Sequence, residues 1–288
     1  MSDGGKMRVD LLLVERGLVP SRERARAMIL AGRVLVREQK VDKPGTTVPG
    51  DAPVRLLGED PPYVSRGGLK LKGALEHWPI MVMGRGCVDV GASTGGFTDC
   101  LVQHGAAHVT AVDTGFGQIA MKLRNDPRVQ LMERTNARLL APGSLTAPTL
   151  GRKNAANEPP TPHAANLTPL TPLTPLTPLS LLVMDVAFIS ATLLLGPVLA
   201  AAPALVEAVI LVKPQFEAGR EHVGKGGIVR DPAAHQLAIN KVAECVRSLG
   251  WQVIETIPSP ITGAEGNREF LLYAKAVSSP PDPLHSNQ

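Results

Sequence analysis

The sequence predicts an α/β protein: a mainly parallel seven-stranded sheet covered by helices, preceded by a small α+β unit at the N-terminus. Three observations carry this. Seven short apolar, β-branched segments alternate with helical spacing from residue 87 onward. The first of them runs into a glycine-rich turn that opens a helix, and the first 57 residues form a separate pattern with its own charge balance.

Taken in order, residues 8 to 57 contain a helix bounded by Ser21 as N-cap and Gly32 as stop, with Ala25, Met28 and Ile29 on one buried stripe and Arg22 and Arg26 together on another face. RVLV and the basic stretch to Lys43 then suggest a short strand and a turn, with Pro44 and Gly45 as punctuation. GEDPPYVSRGG, residues 58 to 68, reads as a linker with little room for regular structure, and Lys70 to Trp78 has helical spacing. The seven strands are CVDVGA at 87, HVTAVD at 108, RVQLME at 128, LLVMDV at 181, AVILVK at 208, WQVIET at 251 and EFLLYAK at 269. Residues 69 to 277 are thus expected to form the second domain. Residues 141 to 180, which hold TPLTPLTPLTPL, read as a disordered Pro-rich insertion, because proline at every third place forbids helix. Residues 278 to 288 read as a frayed tail.

Composition narrows the function. Apolar residues make up 44% and charged residues 19% of 288, ordinary for a folded protein. Three cysteines at unrelated spacings, Cys87, Cys100 and Cys245, suggest neither a disulfide framework nor a metal site. MSDGGKMRVD lacks the apolar run of a secretory signal, so a cytoplasmic location is expected. The apolar stretch 193 to 212 approaches the length of a membrane span, yet it holds Pro197, Pro203 and Glu207 and ends in β-branched residues, so a helix followed by a buried parallel strand explains it better and no membrane partner is expected. The net charge is +4, and residues 1 to 57, with eleven Lys and Arg against seven Asp and Glu, hold all of the excess. That placement suits contact with a polyanion.

The most informative motif is CVDVGASTGGFTDCLVQHG. A strand ends near Asp89, glycines 91, 95 and 96 form a tight turn, and a helix begins near Phe97, so backbone amides and the positive end of a helix meet at one place. Asp113 ends the next strand twenty-two residues beyond Gly91, where a carboxylate suits the hydroxyls of an adenosine ribose. The motif lacks the G-x-G-x-x-G order of a pyrophosphate site and the Gly-Lys-Ser/Thr of a P-loop. A ligand with adenosine and an amino-acid tail remains, and S-adenosylmethionine fits that description.

DVGASTGGFTDCLVQHGAAHV, AVDTGFGQIA, LRNDPRV, ERTNAR, DVAFIS, LVKPQFEAG and GNREF occur in that order behind a head that resembles the S4 RNA-binding domain. Together they resemble the TlyA family, also called the hemolysin A family, over nearly the whole chain except residues 141 to 180 and the tail. The resemblance implies a Rossmann-like, FtsJ-like catalytic domain that uses S-adenosylmethionine to methylate ribose 2'-hydroxyls, of cytidines, in ribosomal RNA or ribosomal subunits. It implies a catalytic set of Lys70, Asp185, Lys213 and Glu269, in which Lys213 orients or deprotonates the hydroxyl while the two acids hold the lysines, and no metal. The cofactor would be held by Gly91, Ala92, Ser93, Gly95, Gly96, Phe97, Asp113 and Asn136. The RNA would meet Arg8, Arg22, Arg26 and Arg33 of the head and Arg66 and Arg134 of the larger domain. The family usually has serine where this sequence has Ala187.

The residues themselves support part of this. Asp185 and Lys213 each follow a run of apolar strand residues, so both should emerge at the carboxyl edge of a parallel sheet, where open α/β folds bind ligands. Lys72, two residues beyond Lys70 on one helix, should point elsewhere. Phe188 could stack on an extruded base, but core packing is the expectation for a lone aromatic. A membrane-active hemolysin and a non-catalytic RNA-binding assembly factor are the competing readings. Oligomeric state is not readable from the sequence.

Overall fold

The computed structural model describes residues 5–57, 62–146, 177–263 and 265–277. The chain divides into two compact units, Met1–Pro61 and Pro62–Gln288.

The first unit contains β1 (Lys6–Arg8), α1 (Val9–Glu15), α2 (Arg22–Leu30), β2 (Val34–Val36), β3 (Gln39–Val41), β4 (Thr47–Pro49) and β5 (Val54–Leu56). Ser21 accepts a hydrogen bond from Arg24 N at 3.2 Å and so starts α2, and the stop comes at Gly32 with φ +65°. Ala25, Met28 and Ile29 are the buried stripe of that helix, packed on Leu12, Leu13 and Val34. β2 joins β3 through Arg37 and Glu38, both with positive φ (52° and 61°), the backbone of a two-residue hairpin turn. The order β3-β2-β5 makes one small antiparallel sheet, and β1 pairs with β4.

The second unit contains α3 (Gly67–His77), β6 (Gly86–Val90), α4 (Gly96–Gln103), β7 (His108–Val112), α5 (Met121–Arg124), β8 (Val129–Met132), β9 (Leu179–Met184), α6 (Thr192–Ala201), β10 (Glu207–Val212), α7 (Pro214–Glu217), α8 (Pro232–Ser248), β11 (Trp251–Pro258) and β12 (Phe270–Ala276). Its seven strands lie in the order β11-β12-β10-β9-β6-β7-β8. β6 to β10 pair in parallel, and β12 runs antiparallel between β10 and β11. The seven-stranded, mainly parallel sheet expected from the sequence is present. Its central strands are buried on both faces, which explains why they read as unbroken apolar runs. Leu181, Val183, Val209 and Leu211 face the core under α3 and α4. Leu182, Met184, Ile210 and Val212 alternate with them and face the core under α6 and α8.

Two expectations need correction. Of the linker expected over 58 to 68, the described residues 62–66 hold no helix or strand, but α3 begins already at Gly67, and Tyr63 is buried in the core. The segment 141 to 180 is ordered at both ends, because Leu179 and Ser180 open β9 and Gly143 N and Leu145 N donate to Ala200 and Ala201 at the end of α6. Most of the TPL repeat and the tail 278 to 288 lie outside the described residues. As expected, residues 193 to 212 hold nearly all of α6 followed by the buried strand β10, and among the described residues no helix is long and apolar enough to cross a membrane.

Candidate active site

Four strands deliver their next residues to one edge of the sheet. Gly91 follows β6, Asp113 follows β7, Asp185 follows β9 and Lys213 follows β10. Glu269 reaches the same edge from the opposite direction, since β12 is antiparallel and starts there. Lys70 comes from the first turns of α3.

These placements bring Lys70, Asp185, Lys213 and Glu269 together. Lys213 Nζ lies 2.6 Å from Asp185 Oδ1, Lys70 Nζ lies 3.7 Å from Asp185 Oδ2 and 2.5 Å from Glu269 Oε2. The chain of alternating charges is therefore Lys213, Asp185, Lys70, Glu269, with Lys70 and Glu269 buried. Neutral overall, it meets the requirement that charges withdrawn from water be paired. Lys72 lies apart, exposed and bonded to Glu76 at 3.1 Å.

Two clefts meet at this cluster. The first, about 460 Å³, is lined by Ser65, Arg66, Lys70, Gly96, Phe97, Asp185 and Lys213 among others. The second, about 370 Å³, is lined by Asp113, Gln118, Asn136, Val186, Phe188 and neighbours, and both clefts include Gly91, Ser93, Asp185 and Ala187. The glycines between them permit close approach. A Cβ on Gly91 (φ +86°) would stand 2.4 Å from the backbone oxygen of Asp185, and one on Gly96 would stand 2.4 Å from Ser65 Oγ and 2.9 Å from Gly68 N. Asp113 accepts from Ser93 N at 2.8 Å through Oδ2 and from Gly115 N at 2.6 Å through Oδ1, which fixes the carboxylate and leaves each oxygen with further acceptor capacity. Asn136 caps a short turn, its side-chain oxygen accepting from Arg138 N.

Of the eight residues expected at a cofactor, Gly91, Ala92, Ser93, Gly96, Phe97, Asp113 and Asn136 line one cleft or the other. Gly95 lines neither. It caps α4 with φ +95°, and a Cβ there would meet Leu123 Cδ1 at 2.3 Å. Among the arginines, Arg66 lines the first cleft and donates to Thr262 O at 3.4 Å. Arg134 stands 4.2 Å above the Phe116 ring with φ +53°. In the first unit, Arg8 and Arg22 both bind the buried Asp10, at 2.9 and 3.0 Å, and their guanidinium groups hold its carboxyl down at about 2 against the opposing effect of burial. Arg26 is exposed on α2, and Arg33 donates to Leu57 O at 2.8 Å.

Phe188 is not a core residue as the sequence suggested. It is 92% exposed, holds φ +64°, and its ring tilts against Phe216 at 5.5 Å between centroids. Sequence reasoning also missed three groups. Asp89, fully buried beneath the glycine turn, accepts from Thr98 Oγ1 at 2.6 Å; burial pushes its carboxyl up to about 7 despite that bond, with the charges of Asp185 and Asp113 acting in the same direction. Glu217 is buried and accepts from Ser190 Oγ at 2.5 Å and Ala191 N at 2.7 Å; burial raises its carboxyl above the usual range, opposed by those bonds and Lys241. Ser65 lines the first cleft beside Gly96, its Oγ 2.4 Å from where a Cβ on that glycine would stand. The DVAFIS and KPQFE motifs contained signals for Glu217, but no spacing rule pairs residues 27 apart in sequence.

Residues 63–276 match the model of the FtsJ-like methyltransferase family, and residues 7–54 match the S4 domain. The chain belongs to the FtsJ-like methyltransferase family. Among its relatives in that family, a Bacillus subtilis protein named as a candidate rRNA methyltransferase, YqxC, is 42% identical over 268 residues, 93% of this chain and 85% of that one. The Mycobacterium tuberculosis 16S/23S rRNA (cytidine-2'-O)-methyltransferase TlyA is 40% identical over 271 residues, 94% of this chain and 90% of its own length. A solved Streptococcus thermophilus structure named as a candidate hemolysin superimposes with a TM-score of 0.64 at 36% identity, over 98% of this chain and 93% of that one. The resemblance to TlyA and the hemolysin A family, read from the motifs, is met by these relatives.

Proposed function

We propose that this FtsJ-like methyltransferase uses S-adenosylmethionine to methylate the 2'-hydroxyl of ribose, at cytidines of ribosomal RNA, and does so in the cytoplasm. The observation that carries the reading is the alternating cluster of Lys213, Asp185, Lys70 and Glu269 at the junction of two glycine-lined clefts.

The residues present fit the cofactor. Gly91 and Gly96 let the turn pack directly against Asp185 and against Ser65 and Gly68, which places its backbone at both clefts, Asp113 offers a fixed carboxylate suited to ribose hydroxyls, and nothing in the motif requires a phosphate. When bound, S-adenosylmethionine supplies an electrophilic methyl group on a sulfonium. The remaining work is alignment and removal of a weakly acidic proton. Lys213 sits at the first cleft and is the residue to orient the hydroxyl; an ammonium has no lone pair, so it takes the hydroxyl proton only as the neutral amine, after passing one of its own protons to solvent. Asp185 holds Lys213 at 2.6 Å and fixes its direction, while Glu269 and Asp185 together hold Lys70. Lys70 keeps positive charge beside the developing alkoxide. Phe188 offers an open aromatic face beside Asp185 on which the base of the target nucleotide can stack. Arg66 at the first cleft, Arg134 beyond the second, and the arginines of the S4 domain supply phosphate contacts.

The test is methyl transfer from tritium-labelled S-adenosylmethionine to ribosomal subunits purified from a strain lacking the protein, followed by primer extension at low nucleotide concentration. Incorporation that produces new ribose-methylation stops is the expected result. Binding of subunits with no incorporation would replace this reading with that of an assembly factor.

A further inference from the structure

We infer that Glu217 is a positioning residue that holds Phe188 in place for the RNA, an inference that rests on the proposed base contact of Phe188. The segment after β9 and the segment after β10 are fastened in register by three contacts. Asp185 meets Lys213 as an ion pair, Phe188 meets Phe216 ring to ring, and Ser190 and Ala191 meet Glu217 through hydrogen bonds. The first two pairs are each 28 residues apart and the last is 27 and 26 apart, so the two segments run side by side from the ion pair outward.

Phe188 is the member of this zipper that needs outside support. Its φ of +64° belongs to a region that a bulky side chain leaves when nothing holds it, and its ring is 92% exposed, so burial does little to fix it. Glu217 supplies the missing constraint two residues downstream. One carboxylate oxygen accepts from Ser190 Oγ at 2.5 Å and the other from Ala191 N at 2.7 Å, a two-point clamp on a loop whose other end is fixed by Asp185. The clamp itself is anchored, because Lys241 on α8 donates to the backbone oxygen of Glu217 at 3.0 Å and lies 3.6 Å from its Oε2. Glu217 lines neither of the two clefts at the catalytic cluster, so its effect on substrate runs through the loop.

The experiment is a double-variant cycle using ribosomal subunits from the deletion strain as substrate, with calorimetry of S-adenosylmethionine as an independent readout. Phe188→Ala is expected to raise the KM for subunits about tenfold, the scale of losing one base–aromatic stack. Glu217→Ala should raise the same KM roughly three- to tenfold, Glu217→Gln should recover most of the loss by keeping one acceptor, and Ser190→Ala should give a smaller rise. In the Phe188→Ala background, Glu217→Gln, Glu217→Ala and Ser190→Ala should add nothing further. Additional losses that multiply in that background would overturn the inference, as would normal KM values for Glu217→Ala and Ser190→Ala beside a defective Phe188→Ala. If Glu217→Ala loses cofactor binding through misfolding, Ser190→Ala and Glu217→Gln decide by the same criterion. A Phe188→Ala variant with wild-type KM would remove the base contact and this inference with it, while leaving the catalytic cluster untouched.

Discussion

Removal of the Lys213 side chain separates catalysis from stability in a way that the geometry makes quantitative. Lys213→Ala deletes the ammonium 2.6 Å from Asp185, yet Asp185 keeps Lys70 at 3.7 Å, and Lys70 keeps Glu269 at 2.5 Å. The acid left behind is partnered and 18% exposed at its side chain, so the cost to folding should be about 1–2 kcal/mol, below the 3–5 typical of a stranded buried charge. For a chain of this size that corresponds to a fall of roughly 2–8 °C in Tm. Asp185→Ala should cost more, about 3 kcal/mol, because it strips an acid from both ammonium groups at once. Rates should rank differently. If Lys213 takes the proton, methyl incorporation under single-turnover conditions should fall by roughly 10²- to 10⁴-fold in Lys213→Ala with cofactor affinity intact. Lys213→Arg sharpens the result, since a guanidinium keeps the charge but does not give up its proton near neutral pH. A loss in Lys213→Arg equal to that in Lys213→Ala marks proton transfer; recovery marks charge and orientation alone. A Lys213→Ala enzyme within threefold of the wild-type rate would refute the assignment.

Three further outcomes follow from particular contacts. Gly91→Ala should abolish measurable S-adenosylmethionine binding by calorimetry, since its Cβ would collide with the backbone oxygen of Asp185 at 2.4 Å and φ is +86°. Gly95→Ala, which meets the movable Leu123 Cδ1 outside both clefts, should mainly lower Tm; equal binding losses would remove the distinction. Asp10, held at about 2 against an ordinary 3.8, stabilises the fold above the ordinary value and loses that contribution as pH falls through the folded one. Unfolding free energies of wild type and Asp10→Asn from urea titrations should therefore differ by about 2 kcal/mol at pH 6 and converge between pH 4 and 2, whereas a constant gap would rule out the linkage. Arg26→Ala should weaken subunit binding and lower the salt slope by about one, without change in Tm, whereas Arg8→Ala should also lower Tm because it uncovers Asp10; an unchanged slope for Arg26→Ala would exclude a phosphate contact there.

What was legible in the sequence follows from how local each signal is. The sheet could be read because four of the five parallel strands, β6, β7, β9 and β10, are buried on both faces and therefore appear as mainly apolar runs, and because Asp113, Asp185 and Lys213 stand at the first position past such a run. The glycine turn could be read because backbone conformation and close approach both demand glycine. The β2–β3 hairpin was partly hidden, since Arg37 and Glu38 occupy a turn where Asn-Gly would have announced it, with Glu38 bonded to Arg55 at 2.5 Å across the sheet. The linker was misread because proline and glycine suggest loop, whereas Gly67 and Gly68 open α3 and let it approach Gly96 and Tyr63 closely.

Asp10, Glu217 and Phe188 share one physical feature: each is a charged or aromatic residue whose environment is set by a partner at least twelve residues away in sequence. Asp10 is held by Arg22, twelve residues on, and Glu217 at the end of α7 is met by Ser190 and Ala191 from the segment after β9. Phe188 is the inverse case, an apolar residue held outside the core by a backbone conformation that its own side chain disfavours. Local preference and observed position disagree at Phe188, and they do so one loop turn from the ion-paired Asp185. A fold maintains such a disagreement only where surrounding contacts over-determine it, and here the contacts are Phe216 and the Glu217 clamp. On the proposed base contact, the strain is part of how Phe188 is presented to RNA, and Phe188→Gly, which relieves the positive φ, should raise Tm while it raises the KM for subunits; a fall in Tm would remove strain from the account.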